Sequence, residues 1–396
     1  MTGASPASDS ACVQAPVRVA VAAAGATTCL AGSADSTWRK VRAGESGLGP
    51  LTLFDPGSTG RSGTVGEVAG HAGLTGGPRL AALAEAALTE ALAEAEAAGV
   101  DRTELTGAWV TVGVSLGDIF EQSGPDVELD HFWGVVAARL GLTGPVVVLS
   151  SACSSGTDAV GYGADLVASG IAPVVVAVGV DSLEPGKYTG HSGLKTMSPD
   201  RCRPYDADGD GTTLAEGACA LVLTDADRLP GTPLAELRGW AASTDIDALT
   251  SPDLSGEGAA RMLRTALERA GGTPADVAHL NGHGSGTPVN DELEAAVYTT
   301  VFPERDVPVS GTKGALGHSL GATGAVEALL TAYALRERVA PPTAGLRVPH
   351  ARWAGAPVAT GEWPLPLPEG RPLGVSVTYG FGGANSCLVL AAGGAA

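Results

Sequence analysis

The chain has 396 residues, with 43 acidic against 24 basic side chains and a formal net charge of −19. That balance argues against a nucleic-acid partner, and the length suits a pair of domains rather than one small core. No stretch is apolar and long enough to span a bilayer. Residues 1–16 are small and polar and lack a basic segment followed by an apolar one, so they read as a flexible tail, not a signal peptide.

In chain order, apolar runs occur at AVAAAG (20–25), AWVTVGVS (108–115), PVVVLSS (145–151), PVVVAVGV (173–180) and ACALVLTD (218–225). Helical Ala/Leu/Glu stretches separate them, the clearest being the amphipathic Arg79–Gly99. This alternation predicts an α/β fold. No internal sequence repeat is visible. The loop TSPDLSGEG suggests a division near residue 245, giving an N-terminal half over 17–245 and a C-terminal half over 246–396.

Four loops carry candidate chemistry. VVVLSSACSSGTDAVG (146–161) reads as strand, tight turn and helix, with Cys153 at the turn. The unpaired N–H groups of the helix start are expected to favour its thiolate. LNGHGSGTPVNDELEA (280–295) presents His283 in a small-residue loop, and SGTKGALGHSLGATGAVEA (310–328) presents Lys313 and His318. VSVTYGFGGANSCLVL (375–390) is a glycine-dense turn between two strand-like runs. A lone Cys or His in such a loop is ordinarily structural. Four loops that each offer one group point to nucleophilic catalysis by Cys with His.

With these motifs together, the chain resembles the β-ketoacyl-acyl-carrier-protein synthases, condensing enzymes of the thiolase-fold superfamily. The match runs in order from Trp38 and Glu45–Leu48 to SCLVL. The resemblance implies two similar mixed-sheet halves in a five-layer αβαβα arrangement. It makes Cys153 the nucleophile, His283 and His318 the catalytic histidines, and Lys313 a lysine paired with Glu327. It also implies a gating loop around Gly380, Phe381 and Gly382, with the N–H groups of Cys153 and Phe381 as oxyanion hole. Ser285 and Thr287 match positions that bind the phosphopantetheine arm. No bound cofactor or metal is implied, because phosphopantetheine arrives on the acyl carrier protein.

The implied reaction is decarboxylative Claisen condensation of an acyl group on Cys153 with a malonyl-type carrier thioester. Two other readings stay open: an acyltransferase that passes the acyl group to an amine or alcohol, and a noncatalytic partner subunit. Expected partners are an acyl carrier protein and either a second copy or a chain-length-factor-like homologue. Six cysteines without metal-type spacing predict reduced thiols in the cytoplasm. DADGDGTT (206–213) only partly matches a calcium loop.

Several positions depart from the family pattern. Gly209 replaces an arginine that often contacts the carrier, and Thr212–Thr213 replace a Phe-Val pair. The segment between 117 and 140 is shorter than usual, which bears on the dimer contact and the acyl tunnel. His191 stands where a pocket Phe is usual, and Thr378 and Tyr379 where Ser or Asn and Phe are usual. His191 and Tyr379 are therefore candidate acyl-pocket residues. These changes favour polyketide or specialised fatty-acid synthesis. A strongly acidic enzyme repels an acidic carrier, although screening limits this beyond roughly 10 Å. Arg39, Lys40, Arg42, Arg61 and Arg79 are candidates for a local basic patch.

Overall fold

The computed structural model describes residues 17–394 except 59, 123–126, 246–251, 305 and 366–371. The tail 1–16, part of the shortened 117–140 segment and the first two residues of the loop that suggested the division lie outside the described residues. The five apolar runs become strands. These are β1 (Val19–Thr28), β2 (Trp109–Gly113), β3 (Val146–Leu149), β4 (Val174–Asp181) and β5 (Gly217–Asp225). Five more follow: β6 (Ala235–Thr244), β7 (Val277–Asn281), β8 (Val309–Ser310), β9 (Leu373–Tyr379) and β10 (Ala384–Ala392). Runs such as Val174–Asp181 are buried at every position, so they carry no alternation of apolar and polar residues.

The hydrogen-bonded order is β8-β7-β9-β10-β6-β1-β5-β4-β2-β3. It is the same path run twice. In the first half β1 pairs antiparallel with β5, β5 antiparallel with β4, β4 parallel with β2, and β2 parallel with β3. In the second half β6, β10, β9, β7 and β8 repeat that sequence of directions. A short β1–β6 pairing joins the halves. By this repeat β6 opens the second half. We therefore place the division in the connection between β5 and β6, earlier than the 245 that loop composition suggested.

The helices repeat as well. Helix α1 (Gly76–Ala97) covers the outer face of the first sheet, beginning three residues before the amphipathic pattern that predicts it. After β3 comes α2 (Ser155–Ala168), and α3 (Pro185–Gly193) follows β4. Helix α4 (Glu257–Arg269) covers the outer face of the second sheet. Helix α5 (Pro288–Val301) lies against it, and α6 (Thr323–Glu337) follows β8. Helices α2 and α6 occupy equivalent places in the two halves, pack on each other and touch both sheets. The layers are thus α, β, α, β, α. The close approach of the two central helices requires small residues: a Cβ on Gly324 would stand 2.3 Å from the Thr157 nitrogen.

Candidate active site

The two central helices start at the same end of the molecule, and each is preceded by a loop from the end of a strand. Between β3 and α2 the chain makes a one-turn 3₁₀ segment, Ala152–Ser154, entered through Ala152 at φ +55°. A left-handed alanine is a strained element that surrounding structure must hold. Here Ser155 Oγ donates to the Ala152 carbonyl at 2.7 Å, and the Ser151 N–H donates back to that hydroxyl at 2.9 Å. This turn presents Cys153, 5% exposed, to a cavity.

The equivalent loop before α6 presents His318. Its Nε2 lies 3.0 Å from Cys153 Sγ, and its Nδ1 lies 3.0 Å from Thr323 Oγ1. The loop after β7 presents His283, whose ring sits edge-on to His318 with centroids 5.1 Å apart. Lys313 donates to Glu327 Oε1 at 2.7 Å and also to the His283 carbonyl. Thr312 Oγ1 donates to the same carboxylate oxygen at 2.9 Å. The lysine therefore ties the loops of both histidines through one buried charge pair.

The gate follows β9. Gly380 N–H donates to the Ala384 carbonyl at 2.8 Å, and Gly382 and Gly383 turn the chain at φ +75° and +70°. Phe381 packs against His191, with ring centroids 5.5 Å apart and planes tilted by 30°. The backbone amides of Phe381 and Cys153 both bear on the cysteine sulfur. Thr378 is tied to the nucleophile helix by a buried hydroxyl pair with Thr157 at 2.9 Å.

Cys153, His283, His318, Gly380, Phe381, Gly382, Ser285, Thr287, His191 and Tyr379 all line one cavity of about 290 Å³. Lys313 and Glu327 stand behind its wall. Ser285 and Thr287 share a hydroxyl bond at 2.9 Å, and Thr287 also caps α5.

The electrostatics correct the expectation of a resting thiolate. Burial pushes the Cys153 thiol up to about 11, against the smaller opposing pull of Lys313 and the Phe381 amide. Desolvation of a charge outweighs the partial charges of a helix start in this closed site. Burial, and then Lys313, hold His283 and His318 well below the ordinary imidazole range, so both are neutral. Burial also drops His191 to about 4.

Of the basic candidates, burial removes Arg79 alone, and the others lie near the surface. Arg79 is 1% exposed and hydrogen-bonds Glu216 at 2.7 Å, so it presents no charge at the surface. Arg42 pairs with Glu337 and Glu362, and Arg39 with Asp35. Arg61 donates to the Met197 carbonyl at 2.5 Å, and Lys40 to the Leu30 carbonyl at 3.0 Å. Asp206 of the DADGDGTT stretch accepts backbone N–H groups of Arg347 and Val348 at 2.6 and 3.0 Å, and so serves as a loop tie.

Some positioning residues escape a reading of motifs. Glu294 Oε1 accepts the Gly284 N–H at 2.7 Å, and Tyr205 donates to its other oxygen at 2.6 Å. Asp291 accepts the Tyr205 N–H at 2.7 Å. The NDELE run after His283 is the signal: two acids three residues apart at a helix start, facing inward. Asp181 accepts the N–H groups of Ser115 and Gly321 at 3.0 and 2.9 Å and pairs with buried Lys187 at 2.5 Å. It thereby fixes the turn behind His318. The backbone carbonyl of Thr213 accepts the His318 N–H at 2.7 Å, a bond independent of the side chain there.

A duplicated five-layer fold, with Cys and one neutral His at the starts of its central helices and a second neutral His beside them, defines a condensing enzyme of the thiolase fold. Residues 17–228 match the beta-ketoacyl synthase N-terminal domain, and 234–347 match the beta-ketoacyl synthase C-terminal domain. The chain belongs to the β-ketoacyl synthase family. It is 37% identical to 3-oxoacyl-[acyl-carrier-protein] synthase 2 of Rhizobium meliloti over 65% of this chain, spanning 63% of that relative's length. It is 33% identical to nodulation protein E of Rhizobium leguminosarum bv. trifolii, over 84% of this chain and 90% of the relative. Among solved structures, the ishigamide ketosynthase/chain length factor superposes with a TM-score of 0.84 at 26% identity, covering 96% of this chain and 100% of that one.

Proposed function

We propose that this protein catalyses decarboxylative Claisen condensation between an acyl group on Cys153 and a malonyl-type thioester on an acyl carrier protein. The observation that carries this reading is the contact of Cys153 Sγ with His318 Nε2 at 3.0 Å, with the His283 ring beside them in one cavity.

Acylation comes first. The Cys153 thiol donates its proton to His318 Nε2 as Sγ bonds the acyl carbon. The C–S bond to pantetheine breaks, and the departing thiolate takes that proton, which returns His318 to neutrality. The amides of Cys153 and Phe381 hold the oxyanion between these steps. The extender then places its thioester carbonyl against His283 and His318. The bond to its carboxylate breaks, carbon dioxide leaves, and the electron pair forms an enolate whose oxygen the two imidazoles hold. The enolate carbon attacks the acyl carbon. Sγ departs and regains a proton from solvent through His318.

His318 thus accepts in one step and donates in the other. Thr323 allows both tautomers, because a hydroxyl 3.0 Å from Nδ1 accepts or donates equally well. Ser285 and Thr287 line the arm of the carrier's phosphopantetheine, and Lys313 with Glu327 holds the loops in register.

The partner we favour is a chain-length-factor-like homologue, as in the ishigamide pair. Strand β3 ends the sheet with four half-buried apolar residues, Val146–Leu149, and Leu116, Phe120 and Val135 are 38%, 55% and 47% exposed. Such an edge needs cover. All five described cysteines are unpaired, which fits a cytoplasmic protein. Among the described residues no helix is long and apolar enough to cross a membrane.

The test separates the two steps. His318→Ala should lose malonyl-carrier decarboxylation by a larger factor than Cys153→Ala, while Cys153→Ala alone should abolish acyl loading. Loading retained in Cys153→Ala would refute the assignment.

A further inference from the structure

The cavity wall holds a hydrogen-bond donor that the scheme above leaves idle. Tyr379 ends β9, is 7% exposed and lines the cavity. Its ring stands edge-on to His283, with centroids 6.2 Å apart and planes at 84°. The three tyrosines buried to 1% or less place their hydroxyls on an oxygen. Tyr188 bonds the Ser62 carbonyl, Tyr205 bonds Glu294 at 2.6 Å, and Tyr298 bonds the Val307 carbonyl at 2.8 Å. Tyr379 has no such partner among the described residues. Its hydroxyl opens onto the cavity, where a ligand that fills the space can accept from it.

An accounting of donors says which part of the ligand. The amides of Cys153 and Phe381 serve the acyl oxyanion. His283 and His318 serve the extender's thioester carbonyl. Ser285 and Thr287 bond each other at 2.9 Å along the arm. Asn385 lies directly across from Tyr379 in the β9–β10 ladder, and its amide is committed to Asp245 at 3.1 Å. Asn290 donates to Glu294 at 2.7 Å. Lys195 lines the wall but is exposed to solvent, and the Thr212 hydroxyl bears on the Cys202 thiol. The extender group left without a donor is its free carboxylate, an anion entering a site of neutral imidazoles. Burial raises the Tyr379 phenol well above its ordinary range, so it remains a donor throughout.

We propose that the Tyr379 hydroxyl donates a hydrogen bond to the free carboxylate of the malonyl-type extender and holds it beside His283 until carbon dioxide leaves. The phenol keeps its proton. The bond that breaks is the one between the extender's α-carbon and its carboxylate, and the electron pair passes to the enolate. Because the bonded carboxylate disappears in that step, the interaction favours the bound extender more than the transition state. Its loss therefore falls on KM rather than kcat. The proposal rests on the condensing reading.

The test is Tyr379→Phe, which removes one oxygen and keeps the ring. Steady-state condensation is measured against malonyl-carrier concentration, and Cys153 loading from acyl-carrier is timed separately. A lost hydrogen bond to a charged group predicts a KM for malonyl-carrier raised roughly 10- to 100-fold. The fall in kcat should be far smaller, and the loading rate should change by less than about twofold. An unchanged KM overturns the proposal, as does an equal loss in both KM and loading, which would place the hydroxyl on the acyl chain or the arm. A wild-type protein that loads but never condenses would instead bring down the condensing reading beneath it.

Discussion

The resting state of Cys153 is open to direct measurement through alkylation by iodoacetamide across pH. Burial raises this thiol from 9.0 to about 11. The two-unit rise cuts the thiolate fraction about 100-fold below pH 9, equivalent to about 2.7 kcal/mol. A more basic thiolate is also a better nucleophile, by roughly 8-fold over two units, so the net expectation is alkylation about 10-fold slower than a free thiol. The logarithm of the rate should climb with unit slope from pH 6.5 to about 10. Peptide mapping separates Cys153 from Cys29, Cys202 and Cys387, which burial pushes up to about 12. A plateau below pH 8, with rates above those of a free thiol, would refute the reasoning. It would mean that the helix start and Lys313 outweigh desolvation.

Three further expectations follow from the supporting residues. Glu327→Gln leaves the Lys313 ammonium buried without its anion, a loss of about 3–5 kcal/mol. At about 2.1 cal/mol/K per residue over 396 residues, that lowers Tm by about 4–6 °C, and melting at the wild-type temperature would contradict it. Asp291 is raised from 3.8 to about 7 by burial and then by Glu294, so the native state binds the extra proton between those values. Its contribution to stability is therefore full below pH 4 and lost as pH rises toward 7. Asp291→Asn should flatten the fall of Tm across that window, and an unchanged slope would exclude Asp291 as its source. Thr323→Val removes the hydroxyl that supports both tautomers of His318 and should lower kcat roughly 5- to 10-fold, with Thr323→Ser restoring most of it. Unaltered kcat in the valine variant would sink that role.

The first-half strands were legible because buried β-branched runs such as PVVVAVGV leave little choice of conformation. The reactive groups were legible because each sits in a loop of small residues between a strand and a helix. The internal repeat was not. It lies in the path of the chain and the direction of pairing, which different side chains encode equally well, so loop composition suggests a division after β6 where the repeat of strand directions suggests one before it. Arg79 was misplaced for a related reason. Sequence gives its charge but not its direction, and its partner Glu216 lies 137 positions away. The Cys153 thiol shows the limit most clearly: the helix start is visible in the sequence, whereas the depth of burial that overrides it is a tertiary property. Asp181 acts on backbone amides of two distant loops, contacts that no local motif marks.

The central claim is that Cys153 carries an acyl group to a carbanion made by decarboxylation. It is tested most directly by incubating the protein with acyl-carrier and malonyl-carrier and reading the intact masses of protein and carrier. The account predicts an acyl adduct on the wild type but not on Cys153→Ala, followed by a β-ketoacyl carrier with loss of carbon dioxide. An acyl adduct that malonyl-carrier leaves untouched, but that an amine or alcohol discharges, would contradict it and establish simple acyl transfer instead.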